Sequence, residues 1–180
     1  MRRISLWDLN FAKWIRNHLH HSKLSWLLSR INRGETFTVF LIIFFYIYRE
    51  SFEYFQIFFH ILIFSFLTDR SVLILKKAIS RVRPLVQVLD QKDQNPDMKH
   101  SFPSAHSANS MVVVVILIFA YGVPDWFWIF TLFAGIGRLL SLHHFPSDII
   151  GGWVVGSIWG FLGIKSFPIL LFLIQNLRRI

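Results

Sequence analysis

Cysteine is absent from this 180-residue chain, so a disulfide framework, a thiolate nucleophile and a cysteine metal site are excluded. Carboxylates are scarce, ten Asp and Glu against nineteen Lys and Arg, and they do not cluster as a two-metal hydrolytic site requires. Neither a metal nor a cofactor is therefore expected. No internal repeat or low-complexity tract is present. The last shortage is polar surface: 54% of residues are hydrophobic and 17% aromatic, with mean hydropathy +0.49. That composition is too apolar for a soluble domain of this size and points to a bilayer. A net charge of +9 could suggest nucleic acid. The basic residues, however, flank apolar runs instead of gathering on one polar domain with interleaved aromatics. They suit anionic lipid headgroups, and no nucleic-acid partner is expected.

Residues 1–33 read as an interfacial helical region. Trp7, Phe11, Trp14, Ile15 and Leu19 recur at helical spacing with Lys13, Arg16 and His18 between them, the pattern of an amphipathic helix lying in the membrane interface. Ser5 followed by Asp8 resembles a helix-starting cap, and no cleaved signal peptide is expected. A second helical piece covers 24–31. Apolar runs then predict spans at 36–48, from about 54 through Lys76 to Arg83 where Pro84 stops the helix, from Pro103 to about 121, from 125 to about 142, and from Pro146 to about Lys165. The polar residues 85–102 read as a loop. Beyond Pro168 a continuing helix and a surface segment both remain open. The expectation is a single all-α membrane domain over 1–180, a polytopic bundle of five transmembrane spans with an N-terminal interfacial amphipathic helix.

Three polar clusters stand at span ends, and the order of spans brings all three to one side of the membrane. The first is Lys76, six residues, then Arg83-Pro84; the second is Pro103-Ser104-Ala105-His106; the third is Arg138, five residues, His144, three residues, Asp148. This pattern over 76–148 resembles the tripartite signature of the type 2 phosphatidic acid phosphatase superfamily. Its members are integral-membrane lipid phosphatases whose fold is shared with vanadium haloperoxidases and some soluble acid phosphatases. The chain departs from that pattern at Ala105, where Gly is usual, and at Gly137, where Ser is usual.

Lys76 and Arg83 are seven apart, which on a continuous helix places them on one face about 10 Å apart along the axis. Pro103 suits a first helical position, leaving the N–H groups of Ser104, Ala105 and His106 aimed at an anion. The resemblance implies that Lys76, Arg83, Ser104, Ala105 and Arg138 hold the phosphate and that His106 is the general acid. A histidine nucleophile must present one bare nitrogen to phosphorus, with a carboxylate fixing the other; His144 and Asp148 are assigned these roles and Arg138 that of a bidentate clamp. His143 is out of spacing by one. Lys77 and Arg81 lack a counterpart and read as surface cations. Asp69, one heptad before Lys76, reads as structural support. His18, His20 and His21 read as solvated interfacial side chains, and His60 and His100 receive no role.

The resemblance implies metal-independent hydrolysis of a membrane lipid phosphate or diphosphate through a phosphohistidine, the headgroup entering sideways between helices. Undecaprenyl diphosphate and lipid A 1-phosphate lead the candidate substrates, with phosphatidylglycerol phosphate and phosphatidic acid behind them. The alternatives are a phosphotransferase using the same histidine and a non-catalytic scaffold or transporter on the same fold. The expected location is the bacterial inner membrane with the site on the periplasmic or extracytoplasmic face. Arg178-Arg179 favour a cytoplasmic C-terminus.

Overall fold

The structure, a computed structural model, describes residues 5–20, 23, 26–27, 52–89 and 99–177. The span expected at 36–48 and most of the piece at 24–31 lie outside the described residues. Within them the elements are helical: α1 (Leu6–His18), α2 (Phe52–Ile79), α3 (Pro84–Leu89), α4 (Ala105–Tyr121), a 3-10 turn at Asp125–Phe127, α5 (Trp128–Leu140) and α6 (Pro146–Leu177).

α1 starts where Ser5 accepts the Asp8 N–H at 3.1 Å, the expected cap. Its buried residues are Asp8, Ala12 and Ile15, whereas Trp7 and Trp14 are exposed. The face packed on protein is thus offset from the aromatic stripe. α1 rests against α3, α5 and α6, and Ala12 and Ile15 join Val88, Leu140, Leu142 and Phe145 in one apolar cluster.

α2 has 28 residues, a length of ~42 Å, and ends at Ile79 instead of running to Pro84. Ser80 adopts φ +46° and donates its N–H to the Lys76 carbonyl at 2.9 Å, turning the chain. Proline disfavours helical conformation in the residue before it, so Arg83 is non-helical. Pro84 opens α3 as its first residue. Lys76 and Arg83 therefore do not share a helix face, and the loop expected from 85 begins as helix.

α6 is 32 residues long and continues through Pro168 to Leu177, which settles the course of that segment in favour of helix. α5, at 13 residues, spans ~20 Å, shorter than the expected span over 125–142. Among the described residues two stretches, Gln56–Ile79 and Pro146–Ile169, are long and apolar enough to cross a membrane.

The α4–α6 pair is the centre of the bundle, with α2 against both and α5 against α4. Two glycines permit the close approach. A Cβ on Gly156 would lie 2.2 Å from the Ala108 carbonyl oxygen, and one on Gly152 2.5 Å from that of Ser104. In lipid, where apolar burial gives little drive to helix association, such backbone proximity supplies the packing. α4 meets it with a fully buried row of Ala108, Val112 and Ile116. Farther along, His60 of α2 bonds the Tyr121 hydroxyl of α4 at 2.9 Å and the Gly163 carbonyl of α6 at 3.0 Å.

Candidate active site

The turn between α5 and α6 carries two adjacent histidines, and its backbone explains their placement. Leu142 has φ +55° and donates its N–H to Leu139 at 3.0 Å, while His143 donates to Arg138 at 3.2 Å. These are the paired bonds of a Schellman helix end, with leucine where glycine is usual. The left-handed conformation costs about 1–2 kcal/mol for such a residue. Burial of the Leu142 side chain in the cluster shared with α1 opposes that cost. The His144 N–H also reaches the Arg138 carbonyl, at 3.3 Å.

α6 then begins with one half of a capping box: the Phe145 N–H donates to Asp148 Oδ2 at 2.8 Å. Asp148 is fully buried. Its Oδ2 also accepts the Ser101 hydroxyl, and its Oδ1 accepts Arg81 Nη1 at 2.6 Å. His144 Nδ1 lies 3.7 Å from Oδ2, facing the carboxylate but beyond hydrogen-bond length, and among the described residues it has no other partner. Catalytic hydrogen bonds are often long until substrate binds. With Nδ1 turned to Asp148, Nε2 is the nitrogen directed away from it. Burial pushes the His144 imidazole down to about 4; the Asp148 carboxylate opposes this, and Arg83 and Arg138 reinforce it. The ring is neutral at pH 7, as a nucleophile must be. His143 is likewise pushed down to about 4, by burial first and then by Arg138 and Arg83. Its Nδ1 donates to the Ser141 carbonyl at 3.0 Å.

The start of α4 differs from the expectation by one step. Ser104, not Pro103, borders the helix as N-cap, with Ala105 the first helical residue, so the methyl of Ala105 sits on helical backbone at no conformational cost. The Ser104 N–H donates to the Asp148 carbonyl at 3.0 Å and so is not directed at an anion. Ser104 Oγ accepts from Ser107 N at 3.4 Å and Ser107 Oγ at 3.0 Å. With both acceptor positions engaged, its own O–H remains as a donor. Across the site, Arg138 Nη2 is 2.6 Å from His106 Nδ1 and also contacts Nε2.

The structure thus gathers Arg83, Ser104, His106, Arg138, His144 and Asp148. Arg83 is buried and close enough for its charge to act on both turn histidines. Lys76 stands on the last turn of α2, where its carbonyl accepts His100 Nδ1 at 3.1 Å; His100 thereby fastens the segment leading into α4. Among the described residues no group of three or more His, Asp or Glu is set to hold a metal.

Arg81 overturns its reading as a surface cation. Its side chain is 12% exposed and donates through Nη1 to Asp148 Oδ1 and Ser147 Oγ, each at 2.6 Å, and through Nη2 to Asp8 Oδ2 at 2.6 Å. The guanidinium lies 4.4 Å from the centroid of the Phe145 ring. Asp8 in turn accepts Ser147 N at 3.2 Å and Ser147 Oγ at 2.7 Å. Two signals in the sequence point here: Pro84, which makes a helix through Arg83 unfavourable, and Asp8, the single acid among the first 34 residues.

Comparison with known proteins bears on the whole arrangement. A family model described as the PAP2 superfamily matches residues 54–170. Undecaprenyl-diphosphatase BcrC of Bacillus subtilis (strain 168) is 34% identical over 71 residues, 39% of this chain and 37% of that protein. The match thus covers little more than a third of that relative's length. The crystal structure of Aquifex aeolicus LpxE superposes with a TM-score of 0.70 over 92% of this chain and 99% of that one, at 21% identity, a likeness of fold.

Proposed function

The chain belongs to the PAP2 superfamily, the type 2 phosphatidic acid phosphatases, and on that premise we propose that it hydrolyses a membrane lipid phosphate or diphosphate through a phosphohistidine on His144. The observation that carries this is a buried, neutral imidazole with one nitrogen facing a buried carboxylate and two arginines close by. Nε2 of His144 attacks phosphorus in line, and Asp148 stabilises the imidazolium that develops. Arg83, Arg138, Lys76 and the Ser104 hydroxyl hold the equatorial oxygens. As the bond from phosphorus to the lipid-side oxygen breaks, His106 gives that oxygen its proton. Water then attacks the phosphohistidine and inorganic phosphate leaves.

The name of the Bacillus relative places undecaprenyl diphosphate first among substrates to assay, with lipid A 1-phosphate, phosphatidylglycerol phosphate and phosphatidic acid as comparators. Exposed apolar rows support a lipid environment: Phe59, Ile63 and Phe66 on α2, and Val154, Ile158 and Phe161 on α6. Their helical spacing suits faces turned to acyl chains. The exposed Trp7 and Trp14, with Lys13 and Arg16, suit the headgroup level. The proposed topology has five spans in a bacterial inner membrane. Arg178-Arg179, which follow α6 in the sequence, support a cytoplasmic C-terminus and with it a site on the extracytoplasmic face. A reporter fused after Ile180 that works only outside the cytoplasm would invert this.

The decisive experiment is trapping by an alkaline denaturing quench with substrate labelled in the terminal phosphate. Label should appear on the protein as acid-labile phosphohistidine, disappear in His144→Ala, and survive thorough chelation with EDTA. Turnover abolished by EDTA and restored by Mg²⁺ would replace this mechanism with a metal-assisted one. Vanadate, which mimics the bipyramidal transition state, should inhibit.

A further inference from the structure

The N-terminal helix reaches the reaction centre through two residues to which the mechanism above gives no part. Asp8 of α1 and Asp148 of α6 bind the two terminal nitrogens of one guanidinium, that of Arg81, each with a contact of 2.6 Å. Both carboxylates are buried, with side chains 2% and 0% exposed, and Arg81 is nearly so. The array of two carboxylates and one guanidinium carries a net charge of −1 and ends 3.7 Å from His144 Nδ1.

Charge accounting shows what Asp8 adds. If Arg81 paired with Asp148 alone, the pair would be neutral and would do little to stabilise an imidazolium forming on His144. Asp8 takes a share of the guanidinium and leaves Asp148 with usable negative charge. Geometry adds a second effect. Arg81 holds Oδ1, while the Ser101 hydroxyl and the Phe145 N–H hold Oδ2, so the carboxyl plane is fixed with Oδ2 toward the imidazole. Asp8 also binds the backbone N–H and hydroxyl of Ser147, locking α1 to the first turn of α6.

We propose that Asp8 and Arg81 are positioning residues for His144, acting through the charge and orientation of Asp148, and that α1 is part of the catalytic apparatus. This rests on the phosphohistidine reading above. It is tested with the full chain in detergent, measuring kcat and KM per folded molecule for p-nitrophenyl phosphate and undecaprenyl diphosphate.

Asp8→Asn keeps the shape and removes the charge. It should lower kcat roughly 10-fold, the equivalent of one pKa unit of imidazolium stabilisation, with KM held within about two-fold. Arg81→Met should lose more, since two buried carboxylates side by side cannot both stay ionised and the proton one takes up neutralises the charge facing His144, while Oδ1 of Asp148 loses its anchor, and Arg81→Lys should recover part of the loss. The double variant Asp8→Asn/Arg81→Met should turn over faster than Arg81→Met alone, because the competing carboxylate is gone. A role confined to fastening α1 predicts the reverse, a double variant worse than either single. Where Arg81→Met fails to fold, Asp8→Asn decides alone: wild-type kcat in that variant overturns the inference while leaving the phosphatase reading intact. Wild-type protein inactive on every lipid phosphate tested and on p-nitrophenyl phosphate removes both.

Discussion

Two buried histidines in this bundle are opposite in character. His60 and His144 are 1% and 4% exposed, and burial alone does not tell them apart. At His60 both ring nitrogens have partners within 3.0 Å, a tyrosine hydroxyl and a carbonyl. A carbonyl can only accept, so Nε2 carries the proton and one neutral tautomer satisfies the whole ring. At His144 the carboxylate facing Nδ1 stays at 3.7 Å. A satisfied ring fastens three helices together; an incompletely satisfied one, beside a carboxylate and two guanidiniums, keeps reactivity in reserve. Hydrogen-bond completeness therefore separates the histidine that fastens the bundle from the one to which the proposal gives the chemistry.

The sharpest way to break this contrast is to exchange the consequences. His144→Ala should lower kcat by at least about 10⁴-fold and remove phosphate label from the protein, while His143→Ala keeps it. An active His144→Ala protein with an inactive His143→Ala one would move the nucleophile by one residue. Next in size is His106→Ala, expected to depress hydrolysis of an alkyl phosphate lipid roughly 10² to 10⁴-fold, the usual span of acid catalysis. It should largely spare p-nitrophenyl phosphate, whose leaving group needs no proton. Equal losses on both substrates would make His106 a phosphate binder.

Acid titration sharpens the comparison further. With His144 and His143 pushed down to about 4 from 6.5, the unfolded chain takes up protons between pH 6.5 and 4 that the folded chain refuses. Their contribution to stability is complete above about pH 6.5 and is lost as pH falls through about 4. Chemical denaturation from pH 7.5 to 4.5 should show that decline, and it should be smaller in His143→Ala. The loss of kcat/KM attributable to the nucleophile should come near pH 4, not near 6.5. The smallest catalytic effect belongs to His60→Leu. It leaves the Tyr121 hydroxyl and Gly163 carbonyl without their partner, a cost of about 1–3 kcal/mol for each buried group, read as a lower Tm. Turnover per folded molecule should stay within about two-fold.

Legibility in the sequence varied from element to element for physical reasons. The helix start within 138–148 could be read because it sits in a local structure written by its own neighbours, a proline at a helix start with a histidine and an aspartate one turn apart, whereas at 103–106 the helix was started one step early because Ser104 caps it instead of entering it. The stretch from Lys76 to Arg83 misled because helical periodicity was extended through a serine in the left-handed conformation and into a residue that proline keeps non-helical. Arg81 reads as a surface cation for a different reason, its lack of a counterpart in the motif. Its true partner Asp8 is 73 positions away, and no local pattern announces a contact at that separation. His60 could be located on a span but not interpreted, since its meaning lies in Tyr121 and Gly163. The packed face of α1 was displaced from the aromatic stripe for a related reason: aromatic residues in an interfacial helix can face lipid, so hydrophobicity alone does not say which side meets protein.

The helix end at Leu142 gives His144 and Arg138 a common anchor, because the N–H groups of both turn histidines converge on the Arg138 carbonyl. The residues to which the proposal gives attack and phosphate binding are thereby attached to a single peptide unit. On the proposed mechanism, a phosphate captured by the guanidinium would arrive already registered against the attacking nitrogen, and a displacement of one group would carry the other with it. In kinetic terms, if those roles hold, the anchor would raise effective molarity. Well-oriented intramolecular reactions reach roughly 10⁵ to 10⁸ M, and here part of that orientation is set when the chain folds, before any lipid has entered.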